Sequence, residues 1–326
     1  VYKLCGICQI DCSLAARTIC FDIKNKCWDK KILAFAEIDE KLLSVPVPTG
    51  SLAEKIKPQL ANELGTSAAC VIVSGAHDQI AAMCGANIST NEQVMDGTGT
   101  VECVPVLFDN IPKDYELYNM GYSFAPHPNG GYACYVLSYT GGATLKWFRD
   151  NFSDIDYAEL DKTVKENPSD LLIMPHFAGA ATPYMDTNSK AAILGLTFEH
   201  TKSDIYKALM EGTAYEIALN LEILKKRGLS AKSVTATGGG ARSDVWLQIK
   251  SDVLGIPVTA LNCKEIGSAG TAVMAGYAAG IYEKTMILAK PRKTFYPNDA
   301  RHEYYKKQLV KYKKIYNAAK EVMRSE

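Results

Sequence analysis

Apolar and polar positions alternate along the chain in short runs, most of them ending in a glycine or a capping residue. The segment AACVIVSGAHD predicts a buried strand over Cys70–Ser74 that runs into a glycine turn. EQVMDGTGTVECVPV predicts two short strands about a tight Gly-Thr-Gly-Thr turn. GYACYVLSYTGG predicts a strand ending in glycines, with a helix through ATLKWFRDNF behind it, and LLIMPHFAG predicts a further strand. The longest helix carries apolar Ile205, Leu209, Ile217, Leu221 and Leu224. Ser203 is its expected N-cap, Lys225–Arg227 lie in its last turn, and Gly228 stands just beyond. Next come a strand and loop, SVTATGGG, then a helix through SDVWLQIKSDVLG. That helix should be capped by Ser243, carry Val245, Ile249 and Val253 on one face, and close at Gly255. PVTAL reads as a strand, and SAGTAVMAGYAAG as a small-residue helix able to pack tightly on a sheet. The basic, tyrosine-rich tail from Asn298 predicts an amphipathic helix with its Tyr and Leu face resting on the body. Strands and helices in alternation make this an α/β protein.

Length and charge narrow the picture. A chain of 326 residues exceeds what one core usually covers, so two domains are expected, with the boundary at ANISTNE, residues 86–92. Thirty-six basic and thirty-six acidic side chains cancel, which gives no electrostatic case for nucleic acid or a membrane surface as partner. No apolar run approaches the ~20 residues of a membrane helix. Ten cysteines spread over a chain this long read as free thiols in a reducing cytoplasm. Cys5, Cys8 and Cys12 lie close together, but a metal site needs a fourth ligand at a matching spacing, so they read as ordinary thiols and no metal ligand is assigned.

Three glycine-bearing loops follow three strands: DGTGT at 96–100, TGG at 140–142 and TGGG at 237–240. Strand ends are where open α/β sheets bind ligands. Phosphate asks for backbone N–H groups with no Cβ in the way, hydroxyls, and a helix N-terminus. GGGARS offers Gly239 and Gly240 for close approach and a helix start behind them, and Thr98 and Thr100 add hydroxyls at the first loop. One such loop is ordinary turn chemistry; three together favour a nucleotide. There is neither a Walker A motif nor a G-x-G-x-x-G after the first strand, so this is not a P-loop or Rossmann site. Asp78, at the strand–turn VSGAHDQ, is either a general base for a substrate hydroxyl or a cap on the helix that follows.

These segments together resemble the FGGY family of carbohydrate kinases, which transfer the γ-phosphate of ATP to a sugar or polyol hydroxyl. DCSLAARTICFD, VSGAHDQIAAMCGA, DGTGTVE, TGGATLKWFRD, PHFAGAATPYMD, GLTFEHTKSDIYKALMEGTAYEI, GGGARSDVWLQIKSDVLGIPV and GSAGTAVMAG follow in the family's order. The resemblance implies an actin-like, ribonuclease H-like ATPase fold. Residues 1–88 would be the end of a sugar-binding N-terminal domain and residues 89–326 the nucleotide-binding C-terminal domain. It implies ATP and Mg²⁺ in the cleft, Asp78 as general base, and Asp78 with Gln79 at the substrate. Gly99, Thr100, Gly142 and Lys146 would face the phosphates, and Gly239, Gly240 and Asp244 would surround the adenosine end. Homodimers are common in such kinases. The GTVE and GGATLKW segments look most like the branch acting on ketopentoses such as xylulose; glycerol, erythritol, ribulose, gluconate and fuculose are the other candidate substrates.

The chain departs from the family pattern in three ways. The first phosphate loop is absent, which makes the chain the larger C-terminal part of a kinase and, alone, an expected inactive one. AGAATP stands where the family has a Glu-Arg pair, and Thr271 and Val101 replace a usual Ala and Ser. The competing reading is a nucleotide-binding sensor or decayed kinase, against which Asp78 argues, since a pure binder has no use for a base there.

Overall fold

The computed structural model describes residues 1–283 and 286–324. Its centre is a seven-stranded mixed sheet formed by β1 (Gln93–Thr98), β2 (Glu102–Phe108), β3 (Ser123–Pro126), β4 (Tyr132–Ser138), β5 (Ser233–Gly238), β6 (Val258–Leu261) and β7 (Pro291–Phe295). Their spatial order is β7-β6-β5-β1-β2-β4-β3. β1, β5 and β6 run parallel and the remaining neighbours antiparallel. The register pairs Thr98 with Gly238, so two of the glycine loops leave the sheet side by side. Ser138 pairs with Glu102, which delivers the third loop to the same edge.

Seven helices concern the site: α1 (Asp78–Gly85), α2 (Gly142–Phe152), α3 (Tyr157–Thr163), α4 (Lys202–Lys225), α5 (Asp244–Leu254), α6 (Ile266–Ala278) and α7 (Asp299–Arg324). Side chains alternate across the strands, so each strand serves two cores. Val94, Val104, Val106, Val234 and Val258 face Ile217, Leu221 and Leu247 of α4 and α5. Met95, Cys103, Leu107 and Tyr135 face Ile80 and Met83 of α1 and Ile266 of α6. Ahead of α1, residues 1–77 form short helices and two-stranded pairings, among them Leu52–Lys55 with Val71–Val73, around Cys12, Ala15, Phe21, Trp28 and Leu33. The predicted strand over Cys70–Ser74 is thus confined to Val71–Val73.

Two expectations are corrected here. The cap of α4 is Thr201, not Ser203: its hydroxyl accepts from the Asp204 N–H while the Asp204 carboxylate accepts from the Thr201 N–H. Thr201 has the acidic residue three positions on that a capping box requires, and Ser203 does not. The small-residue helix α6 makes its close, glycine-on-glycine contact with α1 and reaches the sheet core only through Ile266. A Cβ on Gly270 would fall 1.8 Å from the Ala81 carbonyl oxygen, and one on Gly85 would fall 2.2 Å from that of Ile266. Helix α5 is capped by Ser243 and closed by left-handed Gly255, as its pattern predicts.

The tail helix α7 rests on the body through Tyr305, Leu309, Tyr312, Ile315 and Tyr316. Three tyrosine hydroxyls donate to carboxylates beneath it: Tyr305 to Glu211 at 2.7 Å, Tyr312 to Glu216 at 2.5 Å and Tyr316 to Asp186 at 2.7 Å. Burial pushes the Glu211 carboxyl up to about 7, although it accepts from Tyr305 and from the Ser169 N–H. The folded state therefore holds a proton that the unfolded state releases near the ordinary carboxylate value. Its stabilising effect is complete at low pH and is lost as pH rises through about 7. Glu211→Gln is expected to flatten this fall by about 2 kcal/mol between pH 5 and 8. Urea unfolding at the two pH values measures it, and an unchanged slope would refute the assignment.

Candidate functional site

A cavity of about 550 Å³ opens at the sheet edge where the three glycine loops meet. Thr98, Gly99 and Thr100 of the β1–β2 turn form one wall, and Gly142 and Lys146 of α2 lie beside them. Gly239, Gly240 and Ser243 line it as well, with Gly240 packed against Thr98. Tyr157 and Asp161 of α3, Leu145, Tyr206 and Trp246 complete the lining. Six of the seven residues expected at a nucleotide therefore meet on one cavity. The seventh, Asp244, does not: its carboxylate is bound by Arg292 Nη2 and Lys293 Nζ, each at 2.8 Å, and lines a neighbouring cleft.

The glycines have separate reasons. Gly238 has φ +81°, and a Cβ there would sit 2.6 Å from the Thr98 carbonyl oxygen. A Cβ on Gly240 would meet the Cβ and Cγ2 of Thr98 at 2.7 Å and the Trp246 ring at 3.1 Å. Both are glycine so that the TGGG loop can close on Thr98. Gly239 differs, since its Cβ would find nothing nearer than 3.9 Å. It alone of the three offers open backbone to a ligand. Gly142 also serves the protein itself: its N–H donates to the Gly99 carbonyl at 2.8 Å, and Gly141 and Ala143 donate to that of Thr100. The DGTGT and TGG loops thus brace each other. Lys146 Nζ, largely exposed at the mouth, pairs with Asp150 one turn on.

The wall of α3 was not read from the sequence. Asp161 accepts from the Tyr206 hydroxyl at 3.1 Å and also bonds the Ser243 side chain, and burial raises its carboxyl above the ordinary range. A signal existed in Asp156, which caps the Glu159 N–H three residues on.

Asp78 is the first residue of α1, one position past the cap, with His77 before it. Its carboxylate is 80% exposed, accepts from the Gln79 N–H at 2.7 Å and lies 3.3 Å from His77 Nε2. Burial pushes the His77 imidazole below its usual range. The His77 ring beside it packs edge-on against that of Tyr135 on β4 at 5.8 Å, which places the start of α1 against the sheet. Around Asp78, His77 Nδ1, Gln79 Oε1 and the Tyr135 hydroxyl are buried without a hydrogen-bond partner in the protein. Buried polar groups are ordinarily partnered, so this corner is short of polar company. Asp11, not singled out from the sequence, anchors it from the other side. It accepts from the hydroxyls of Ser13 at 2.5 Å and Thr49 at 2.6 Å, and Ser13 Oγ accepts from the His77 N–H at 2.8 Å.

Among the described residues no group of three or more His, Cys, Asp or Glu could hold a metal ion by itself, and no helix is long and apolar enough to cross a membrane. Cys5 is half-buried, Cys8 exposed and Cys12 buried, all three as free thiols.

The xylulose kinase of Staphylococcus epidermidis is 27% identical over 98% of this chain, and the chain spans 66% of that enzyme's length, just under two thirds. The glycerol kinase of Pediococcus pentosaceus is 29% identical over 90% of the chain, which covers 60% of it. The ligand-bound xylulose kinase of Lactobacillus acidophilus superimposes with a TM-score of 0.89 at 23% identity, over 97% of this chain and 66% of that one. The fold is accordingly the actin-like ATPase fold of these kinases. The sequence profile of the N-terminal domain of the FGGY family of carbohydrate kinases matches residues 1–85, and that of its C-terminal domain matches residues 120–279. With both domain profiles met in order, the chain belongs to the FGGY family of carbohydrate kinases.

Proposed function

We propose that the protein transfers the γ-phosphoryl group of ATP to a hydroxyl of a sugar or polyol, a ketopentose such as xylulose first. The observation that carries this is the convergence of three glycine loops on one cavity, with an exposed carboxylate, Asp78, at the start of a helix packed on the same sheet. Similarity to xylulose kinases over nearly the whole chain supports the ketopentose. The glycerol kinase and gluconokinase relatives keep glycerol and gluconate behind it. Residues 1–88 serve the sugar in this reading, and residues 89–326 the nucleotide.

The cavity fits ATP in size and chemistry: Gly239 leaves open backbone, and Lys146 stands at the mouth. ATP brings the transferable phosphoryl group, and Mg²⁺, which needs few protein carboxylates when held on phosphates, neutralises its charge. What the chain does is position and take up a proton. Gly99, Thr100, Gly142 and Lys146 flank the phosphates, and Gly239 and Gly240 the nucleoside. Asp78 accepts the hydroxyl proton, with Gln79 beside it to orient the substrate. Asp244 contributes through its place in the first turn of α5, since its carboxylate is held by Arg292 and Lys293.

The test is ADP release by the protein at its full natural length over a panel of ketopentoses, glycerol and gluconate. Release that depends on one sugar supports the kinase and names its substrate. Nucleotide binding with no turnover on any substrate replaces it with the sensor reading.

A further inference from the structure

Beneath the Thr98–Thr100 turn, three charged side chains are almost completely buried. Lys250 Nζ of α5 donates to Asp96 Oδ2 at 2.5 Å, to Thr98 Oγ1 at 2.6 Å and to Glu102 Oε1 at 2.7 Å. Each of the three side chains is about 1% exposed. The Thr98 hydroxyl lies 2.9 Å from both Asp96 Oδ1 and Glu102 Oε1, so it can donate to either while accepting from Lys250. The same ammonium lies 4.7 Å above the ring of Trp246, which lines the nucleotide cavity.

Burying charges is costly, and an apolar cluster of similar volume often stabilises a protein as well or better. Stability alone therefore does not account for this arrangement. What it does specifically is fix Thr98. The hydroxyl is held from below, while the carbonyl of Thr98 sets the approach of Gly238 and its methyl that of Gly240. Thr98 is the pivot on which the GTGT and TGGG loops meet, and Lys250 ties that pivot to the Trp246 wall.

We propose that Lys250, with Asp96 and Glu102, is a positioning residue for polyphosphate recognition, holding the Thr98–Thr100 turn in register with the TGGG loop. The inference rests on the cavity being the nucleotide site. Without Lys250, or without the Thr98 hydroxyl, the turn loses its anchor on the phosphate side, whereas Thr98→Val keeps the carbonyl and methyl against which Gly238 and Gly240 pack, and Asp161 of α3 keeps its own bond from Tyr206.

The experiment is calorimetric titration of the wild-type chain, Lys250→Met and Thr98→Val with ATP and, separately, with adenosine. Lys250→Met strands two buried carboxylates and can fail to fold. Thr98→Val keeps the volume, the methyl contact and all three charges, and decides the matter in that case. We expect ATP affinity to fall about tenfold or more, the worth of one lost charge-assisted hydrogen bond, with adenosine affinity within about twofold of wild type. Equal loss for both ligands, or no loss, would overturn the positioning role while leaving the nucleotide site standing. Wild-type protein that binds neither ligand would overturn both. A merely structural role would lower the melting temperature without moving the ratio of the two affinities.

Discussion

Asp78→Asn is expected to lower kcat by about 10²–10⁴-fold on the protein's best sugar substrate, the usual contribution of a positioned general base. Asparagine has the shape of aspartate and can still accept the Gln79 N–H, so the first turn of α1 is retained. The side chain is 80% exposed, so little packing depends on its charge. None of the cavity wall is formed by Asp78, and KM for ATP should stay within about twofold. The comparison is informative because the alternative role is visible in the structure. As a first-turn acid, Asp78 favours the helix dipole by only about 0.3–1 kcal/mol, an effect read in the melting temperature and not in kcat. Steady-state kinetics on the pair separates the two. A variant with kcat within about fivefold of wild type would reduce Asp78 to a helix-terminus residue and remove the base from the mechanism.

Much of this site was legible because strands and turns leave local marks. An apolar run with glycines behind it is a strand with a loop, and three of them marked the three loops that meet at the cavity. Their meeting is a tertiary fact. It depends on Thr98 pairing with Gly238 across parallel strands, 140 positions apart in sequence, and no local pattern encodes that register. The triple glycine shows the limit more sharply. From sequence it read as room for a ligand; in the structure Gly238 and Gly240 make room for Thr98, and only Gly239 faces open space. In the sequence Lys250 is one more polar position on an amphipathic helix. Its partners Asp96 and Glu102 lie about 150 residues earlier, so nothing near it in the chain announced that it is buried. Helix α3 escaped because it is short and largely polar, and its apolar contribution is little more than Leu160.

The second large effect is expected at Gly270, from a contact the sequence suggested only in outline. Small residues in SAGTAVMAG promise close packing, expected on a sheet. The structure puts α6 against α1 with backbone on backbone, Gly270 over the Ala81 carbonyl and Gly85 over that of Ile266. Alanine at Gly270 would place its Cβ 1.8 Å from that oxygen and 2.8 Å from the Gly85 nitrogen. Neither is the end of a flexible side chain, so the two helices must separate. The buried Ile80, Met83 and Ile266 packed around them would lose contact together. We expect Gly270→Ala to cost about 3 kcal/mol or more, at the upper end for overpacking. The adjacent Thr271→Ala, on the exposed side of the same helix, should stay within about 0.5 kcal/mol. Denaturant unfolding of the two variants measures the difference, and equal stabilities would mean the helices do not meet through their glycines. The contact also bears on chemistry. Asp78 begins α1, and its carbonyl lies only 3.8 Å from where a Cβ of Gly267 would sit, so α6 sets the position of the proposed base relative to the seven-stranded sheet. In whatever fraction of Gly270→Ala folds, kcat should fall while the ATP affinity of the cavity, built from other loops, is kept.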